Sequence, residues 1–85
     1  MERSEIEARS KPILLTALRL DESTLRPDLN VVEDTQADSL DVMEVFLGLE
    51  EEFDIEFPPE AVDRIRTLEQ AVDVIYELVN APAEA

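Results

Sequence analysis

Apolar residues recur at helical spacing in four stretches of the chain, and no stretch shows the alternation of a strand. In the first stretch, Ser4 and Glu7 have the spacing of a capping box, so we expect a helix over residues 4–20. Pro12 lies inside it, and an internal proline removes a hydrogen bond and clashes with the preceding turn. The pattern therefore predicts a kink or break near Ser10, and a shortened helix.

Residues 21–38 lack a sustained helical period and contain Pro27 and Asn30, which is typical of a long loop. A loop of this length in a small domain is usually functional or disordered. Four apolar residues predict that this one is held against the core: Leu25, Leu29, Val31 and Val32.

The second helix is predicted to start after Asp38 as N-cap and to run to residue 53. Gly48 weakens it by up to about 1 kcal/mol relative to alanine. On a helical wheel, one face collects the residues expected in the core: Val42, Val45, Phe46, Leu49 and Phe53.

Two prolines open a short third helix over residues 60–65, and Thr67 with Gln70 forms a capping box ahead of a last helix that ends near Asn80. The chain is therefore predicted to be all-α. We expect one helical domain over residues 1–80 and a disordered tail over residues 81–85.

The charge is strongly acidic, with 22 acidic against seven basic residues and a net charge of −15. Such a field repels nucleic acid and anionic membranes and speeds encounters with basic protein surfaces. No window approaches the roughly 20 apolar residues of a membrane span, and the first residues lack the apolar core of a secretory signal. We expect a cytoplasmic protein without membrane insertion or nucleic-acid binding.

The chain has no histidine and no cysteine, which removes the usual zinc ligands, thiolate nucleophiles and the commonest general base. Ser39 follows Asp38 at the predicted start of the second helix, but Lys11 is the only lysine that could activate it. An enzyme acting alone is therefore disfavoured. Covalent modification of Ser39 is the better functional interpretation, and an ordinary helix-start serine is the alternative.

A second side of this helix carries Leu40, Met43 and Leu47 interleaved with acidic residues. Exposed apolar residues rimmed by carboxylates suit a protein-docking surface, although these three could instead pack under the loop. The acidic run within residues 50–56 could hold a divalent cation, but such runs are usually solvated faces, so we expect no metal site.

Residues 32–41 resemble the prosthetic-group attachment region of bacterial acyl carrier proteins. The acidic stretch 49–58, which ends in a proline, and the segment 65–71 also resemble this family, so that the similarity covers residues 4–80. The chain is identified on these motifs as a suspected member. Thr35 and Gln36 depart from the family pattern, which has an apolar residue and glycine there.

The resemblance implies a four-helix bundle with a short third helix, and a 4'-phosphopantetheine arm on Ser39, added by a magnesium-dependent phosphopantetheinyl transferase. It implies a monomer that holds acyl groups as thioesters for acyl-transferring and acyl-processing enzymes with basic docking patches. The implied recognition surface comprises Asp38, Leu40, Asp41, Met43, Glu44, Leu47, Glu50 and Glu51. The implied acyl pocket comprises Val45, Phe46, Leu49, Val62, Ile65, Ala71 and Ile75.

The resemblance leaves the pathway open among fatty-acid, lipid and specialised polyketide-like acyl biosynthesis. An aminoacyl or peptidyl carrier is disfavoured, because Asp38 before the serine and the strong acidity are closer to acyl carriers. A different class of function is an unmodified acidic helical adaptor or weak calcium binder.

Overall fold

The computed structural model describes residues 1–80, which form four α-helices: α1 Arg3–Leu18, α2 Ser39–Phe53, α3 Pro59–Arg64 and α4 Leu68–Asn80. α1 packs against both α2 and α4. The helical bundle with a short third helix is confirmed. The tail predicted over residues 81–85 lies outside the described residues. No helix within residues 1–80 is long and apolar enough to cross a membrane.

The core is formed by one cluster of apolar side chains contributed by all four helices and by the loop between α1 and α2. Four of the five residues predicted for the core face of α2 are buried, and the fifth, Val42, packs partly buried against the cluster. The most deeply buried large apolar side chains are Ile6, Leu14, Leu49, Leu68 and Ile75.

The start of α1 differs from the prediction. Its N-cap is Glu2, which makes no side-chain capping hydrogen bond, so Ser4 already lies inside the helix and the predicted capping box is wrong. The helix ends at Leu18, and Arg19 follows in the left-handed conformation. That ending lies two residues before the predicted one.

Pro12 does not break or shorten α1, which continues through it to Leu18. The carbonyl of Ala8, four residues earlier, loses its donor, but Ala8 and Pro12 are both exposed and water can reach that carbonyl. On the opposite side, the buried Ser10 hydroxyl donates to the Ile6 carbonyl at 2.7 Å, so no polar group is left unpaired there. The exposed position explains why the proline is tolerated.

The loop over residues 19–38 is fixed to the junction between α3 and α4. The Val31 amide donates to the Arg66 carbonyl at 2.8 Å, and Asn30 forms an isolated antiparallel bridge with Thr67. Leu25, Leu29 and Val31 are buried as predicted. Val32 is 43% exposed, so its prediction as a core residue is wrong.

α1 packs tightly against α2 at Gly48. A Cβ atom added to this glycine would lie 2.8 Å from Cγ2 of Ile13, which is shorter than any ordinary carbon contact. The glycine that weakens α2 as a helix therefore permits the packing of α1 against it.

Candidate functional site: the start of helix α2

Ser39 is the first residue of α2, and its side chain is exposed. Asp38 is the N-cap, as predicted: its carboxylate accepts from the Asp41 amide at 3.0 Å. The Asp41 carboxylate in turn accepts from the Asp38 amide at 3.3 Å, which completes a capping box. The box defines where α2 begins and leaves the Ser39 hydroxyl outside its hydrogen bonds.

The segment that leads into Ser39 is held by its own side chains. The Asn30 side-chain oxygen accepts from the amides of Val32 and Glu33, at 2.9 and 2.8 Å. The Asp34 carboxylate accepts from the Asn30 amide at 3.0 Å. Short polar side chains that bind neighbouring amides favour a fixed turn, so the approach to α2 is locally ordered.

A groove of about 510 Å³ lies beside Ser39, between the start of α2 and the α3–α4 junction. Its surface is mostly apolar, with Asp38, Glu50 and Arg66 as its charged members. The groove is lined by Val32, Ala37, Asp38, Ser39, Val42, Met43, Phe46, Leu47, Glu50, Val62 and Arg66.

Of the residues implied as acyl-pocket liners, Phe46 and Val62 line this groove. The other five lie buried in the core and do not line it: Val45, Leu49, Ile65, Ala71 and Ile75. Val32 and Arg66 also line the groove and were not predicted to do so. No local signal marks either residue, because an apolar loop residue such as Val32 is expected in the core, and spacing along the chain does not place Arg66 beside the start of α2.

Phe46, which lines the groove, packs against the buried Phe57. Their rings meet edge to face, with centroids 5.2 Å apart and an interplanar angle of 80°. Such a pair contributes about 0.5–1.5 kcal/mol beyond its buried area. The edge-to-face contact therefore helps to hold Phe46 in place where it lines the groove.

Glu50, which the resemblance implies as part of the recognition surface, also makes a structural contact. Its side chain is half-buried, lines the groove, and accepts a hydrogen bond from the Phe57 amide at 2.8 Å. This carboxylate fixes the connection between α2 and α3 and also borders the groove.

Beside the groove, the solvent-exposed side of α2 carries an exposed apolar strip: Leu40 is 65% exposed, Met43 57% and Leu47 55%. These residues therefore do not pack under the loop. Glu44 and Glu51 are exposed as well, while Asp41 is half-buried. Because Met43 and Leu47 also line the groove, the strip and the groove form one continuous surface beside Ser39.

The acidic run after Leu49 is dispersed over several structural roles. Glu52 pairs with Arg9 at 2.9 Å, Glu50 holds the Phe57 amide, and Asp54 caps the end of α2 in the left-handed conformation. Within residues 1–80, no three carboxylates converge as a metal site would require. The described residues therefore contain no assembled site that would support the calcium-binding alternative.

Comparison with known proteins gives a family and a solved relative. The family described as "Phosphopantetheine attachment site" matches residues 11–75. The chain is also similar to the acyl carrier protein from Enterococcus faecalis, whose structure was reported for its high thermal stability. The two are 33% identical with a TM-score of 0.76, over 92% of this chain and 99% of that one.

Both matches span the start of α2, the groove and most of the helical domain described above. The chain therefore belongs to the acyl carrier protein family, whose members are non-catalytic carriers that work through an attached 4'-phosphopantetheine group.

Proposed function

We propose that Ser39 carries the 4'-phosphopantetheine arm and that the chain delivers acyl thioesters to enzymes of fatty-acid, lipid or specialised acyl biosynthesis. The observation that carries this proposal is the position of Ser39: an exposed hydroxyl at a helix start, beside a mostly apolar groove. The terminal thiol of the bound arm supplies the thioester chemistry that a chain without cysteine lacks.

The surroundings of Ser39 fit a phosphate ester. The start of α2 presents amides without helical partners, and the helix dipole favours negative charge there. Arg66 lines the same groove and adds a positive charge. Asp38 and Asp41 oppose the phosphate, so the modifying transferase must screen them with basic residues or magnesium.

The groove suits a hydrocarbon better than a charged cargo. Its walls are mostly apolar, and burial of each methylene group stabilises a bound acyl chain by about 0.8 kcal/mol. This lining supports acyl cargo over aminoacyl or peptidyl cargo. The buried residues implied as deeper liners, such as Leu49 and Ile75, take part only if the core opens beyond Phe46.

The exposed strip supports a docking role for α2. Leu40, Met43 and Leu47 offer apolar anchors, and Glu44 and Glu51 offer negative charge to a basic patch. The strip adjoins Ser39, so a partner bound there has access to the arm. We propose that the transferase and the acyl-processing enzymes dock on this surface of a monomeric carrier.

Intact-mass spectrometry tests the attachment site. The chain is incubated with coenzyme A, magnesium and a broad-specificity phosphopantetheinyl transferase, alongside Ser39→Ala and the exposed-loop control Ser23→Ala. We expect wild type and the Ser23 variant to gain one phosphopantetheine mass and Ser39→Ala to gain none. An unmodified wild type, or a modified Ser39→Ala, would refute the proposal.

A further inference from the structure

We propose that Thr35 is a positioning residue, whose hydroxyl holds the segment before Ser39 in the geometry that the transferase binds. This inference rests on the proposed modification of Ser39.

The Thr35 hydroxyl joins two points of the backbone. It donates to the Val31 carbonyl at 2.6 Å and accepts from the Ala37 amide at 3.1 Å. The side chain is half-buried, which protects both bonds from water. A hydroxyl can donate and accept at once, whereas the methyl of an isosteric valine can do neither.

One end of this connection is anchored to the bundle. Val31 is buried, and its amide donates to the Arg66 carbonyl at 2.8 Å. The neighbouring Asn30 pairs with Thr67 at the start of α4. Through its two hydrogen bonds, the Thr35 hydroxyl therefore connects Ala37 to a segment that is fixed to the α3–α4 junction.

The other end of the connection leads directly to the site. Ala37 lines the groove and precedes Asp38, the residue that caps α2. Fixing the Ala37 amide thus fixes the direction from which the chain enters α2. It also holds the wall of the groove nearest Ser39 in place.

A transferase that binds an ordered segment has less conformational entropy to remove. Thr35→Val removes both hydrogen bonds of the hydroxyl, and the bond to Ala37 is the one that acts on the entry to α2. The loss of that bond, at ~1 kcal/mol, corresponds to roughly a fivefold change in an equilibrium constant. We expect Thr35→Val to lower kcat/KM for phosphopantetheine transfer about fivefold, and Thr35→Ser, which keeps the hydroxyl, to change it less than about twofold.

Asn80→Ala serves as the stability control. Asn80 bonds to Met1 and to the Tyr76 carbonyl, away from the residues that line the groove, so its loss should lower Tm without slowing transfer. Equal transfer rates for the valine and serine variants would overturn the inference. The inference would also be overturned if Asn80→Ala and Thr35→Val lost the same transfer rate for the same loss of Tm.

Amide hydrogen exchange gives a readout that needs neither the transferase nor a folded variant. In wild type, the Ala37 amide should exchange at least about fivefold more slowly than the Gln36 amide, after correction for intrinsic rates. Equal protection would show that the hydroxyl does not hold Ala37. If the Ala37 amide is protected but wild type is never modified, the proposed function is wrong, while the ordering of this segment by the Thr35 hydroxyl is correct.

Discussion

The two poles of the bundle are held by different interactions. At the pole where α1 begins, charged groups join the helices directly: Arg9 pairs with Glu52 of α2 at 2.9 Å, and Arg3 pairs with Asp73 of α4. The guanidinium of Arg9 also stacks over the Phe53 ring, 5.4 Å from its centroid. At the Ser39 pole, a groove separates α2 from the α3–α4 junction, and the nearby loop makes mostly short-range hydrogen bonds.

Because of this difference, the contacts that stabilise the bundle are not the ones that position Ser39. The interhelical ion pairs hold the bundle at the pole far from Ser39, whereas the capping box and the Thr35 hydroxyl order Ser39 without closing the groove. Variants at the two poles are therefore expected to affect different measurements. Four sets of variants test this separation, in order of decreasing effect.

Ser39→Ala has the largest expected effect, at the open pole. Phosphopantetheine transfer should be abolished, because the acceptor hydroxyl is gone. The free energy of unfolding should change by less than about 0.5 kcal/mol, since the side chain is exposed and outside the capping box. Urea titration of the variant and wild type measures this. A loss of several kcal/mol would place Ser39 in the packing instead.

Charge reversal at Glu44 and Glu51 tests the exposed strip. We expect kcat/KM for transfer to fall roughly tenfold at low salt, with the difference shrinking as salt screens the attraction. Reversal of Glu69 and Glu77, which are exposed on α4, changes the net charge equally and serves as the control. If both double variants slow transfer to the same extent, net charge rather than the strip governs docking.

Gly48→Ala tests the close approach of α1 and α2 between the poles. The added methyl overlaps Cγ2 of Ile13, at a cost of about 1–3 kcal/mol, while helix propensity returns up to about 1 kcal/mol. We expect a net loss of about 1 kcal/mol in wild type and a gain in the Ile13→Ala background. Denaturant unfolding of all four proteins measures the coupling. If Gly48→Ala changed the free energy of unfolding with the same sign in both backgrounds, the packing explanation would be wrong.

Arg9→Gln has the smallest expected effect, at the pole far from Ser39. The side chain is 40% exposed, so solvent screens its ion pair, and the pair and the contact with Phe53 together contribute less than about 1 kcal/mol. Thermal unfolding should show a small fall in Tm. Arg26→Gln, which removes only an exposed pair with Asp28, is the matched control and should leave Tm unchanged.

The sequence was most informative where one element carries several agreeing signals. α2 and α4 each combine a capping box with a clear apolar face, and their starts agree with the prediction within one residue. α1 carries conflicting signals. The spacing of Ser4 and Glu7 matches a capping box, but helical hydrogen bonds begin earlier, and the exposure of Pro12 depends on packing that local spacing does not define.

The site was predicted unevenly for the same reason. A helical wheel separates Phe46 from Leu40 because burial follows the helical period. It does not show where side chains from different helices leave space, so most implied acyl-pocket liners are close-packed core residues. The hydrogen bond from the Phe57 amide to Glu50 depends on the turn between α2 and α3, which no spacing rule describes.

The most direct test compares kcat/KM for phosphopantetheine transfer in the Glu44 and Glu51 double charge reversal with that in Arg9→Gln. The separation of the two poles predicts roughly a tenfold loss for the first at low salt and a change of less than about twofold for the second. The separation of the two poles would be contradicted if Arg9→Gln lowered kcat/KM as much as the charge reversal does. It would also be contradicted if neither variant lowered kcat/KM.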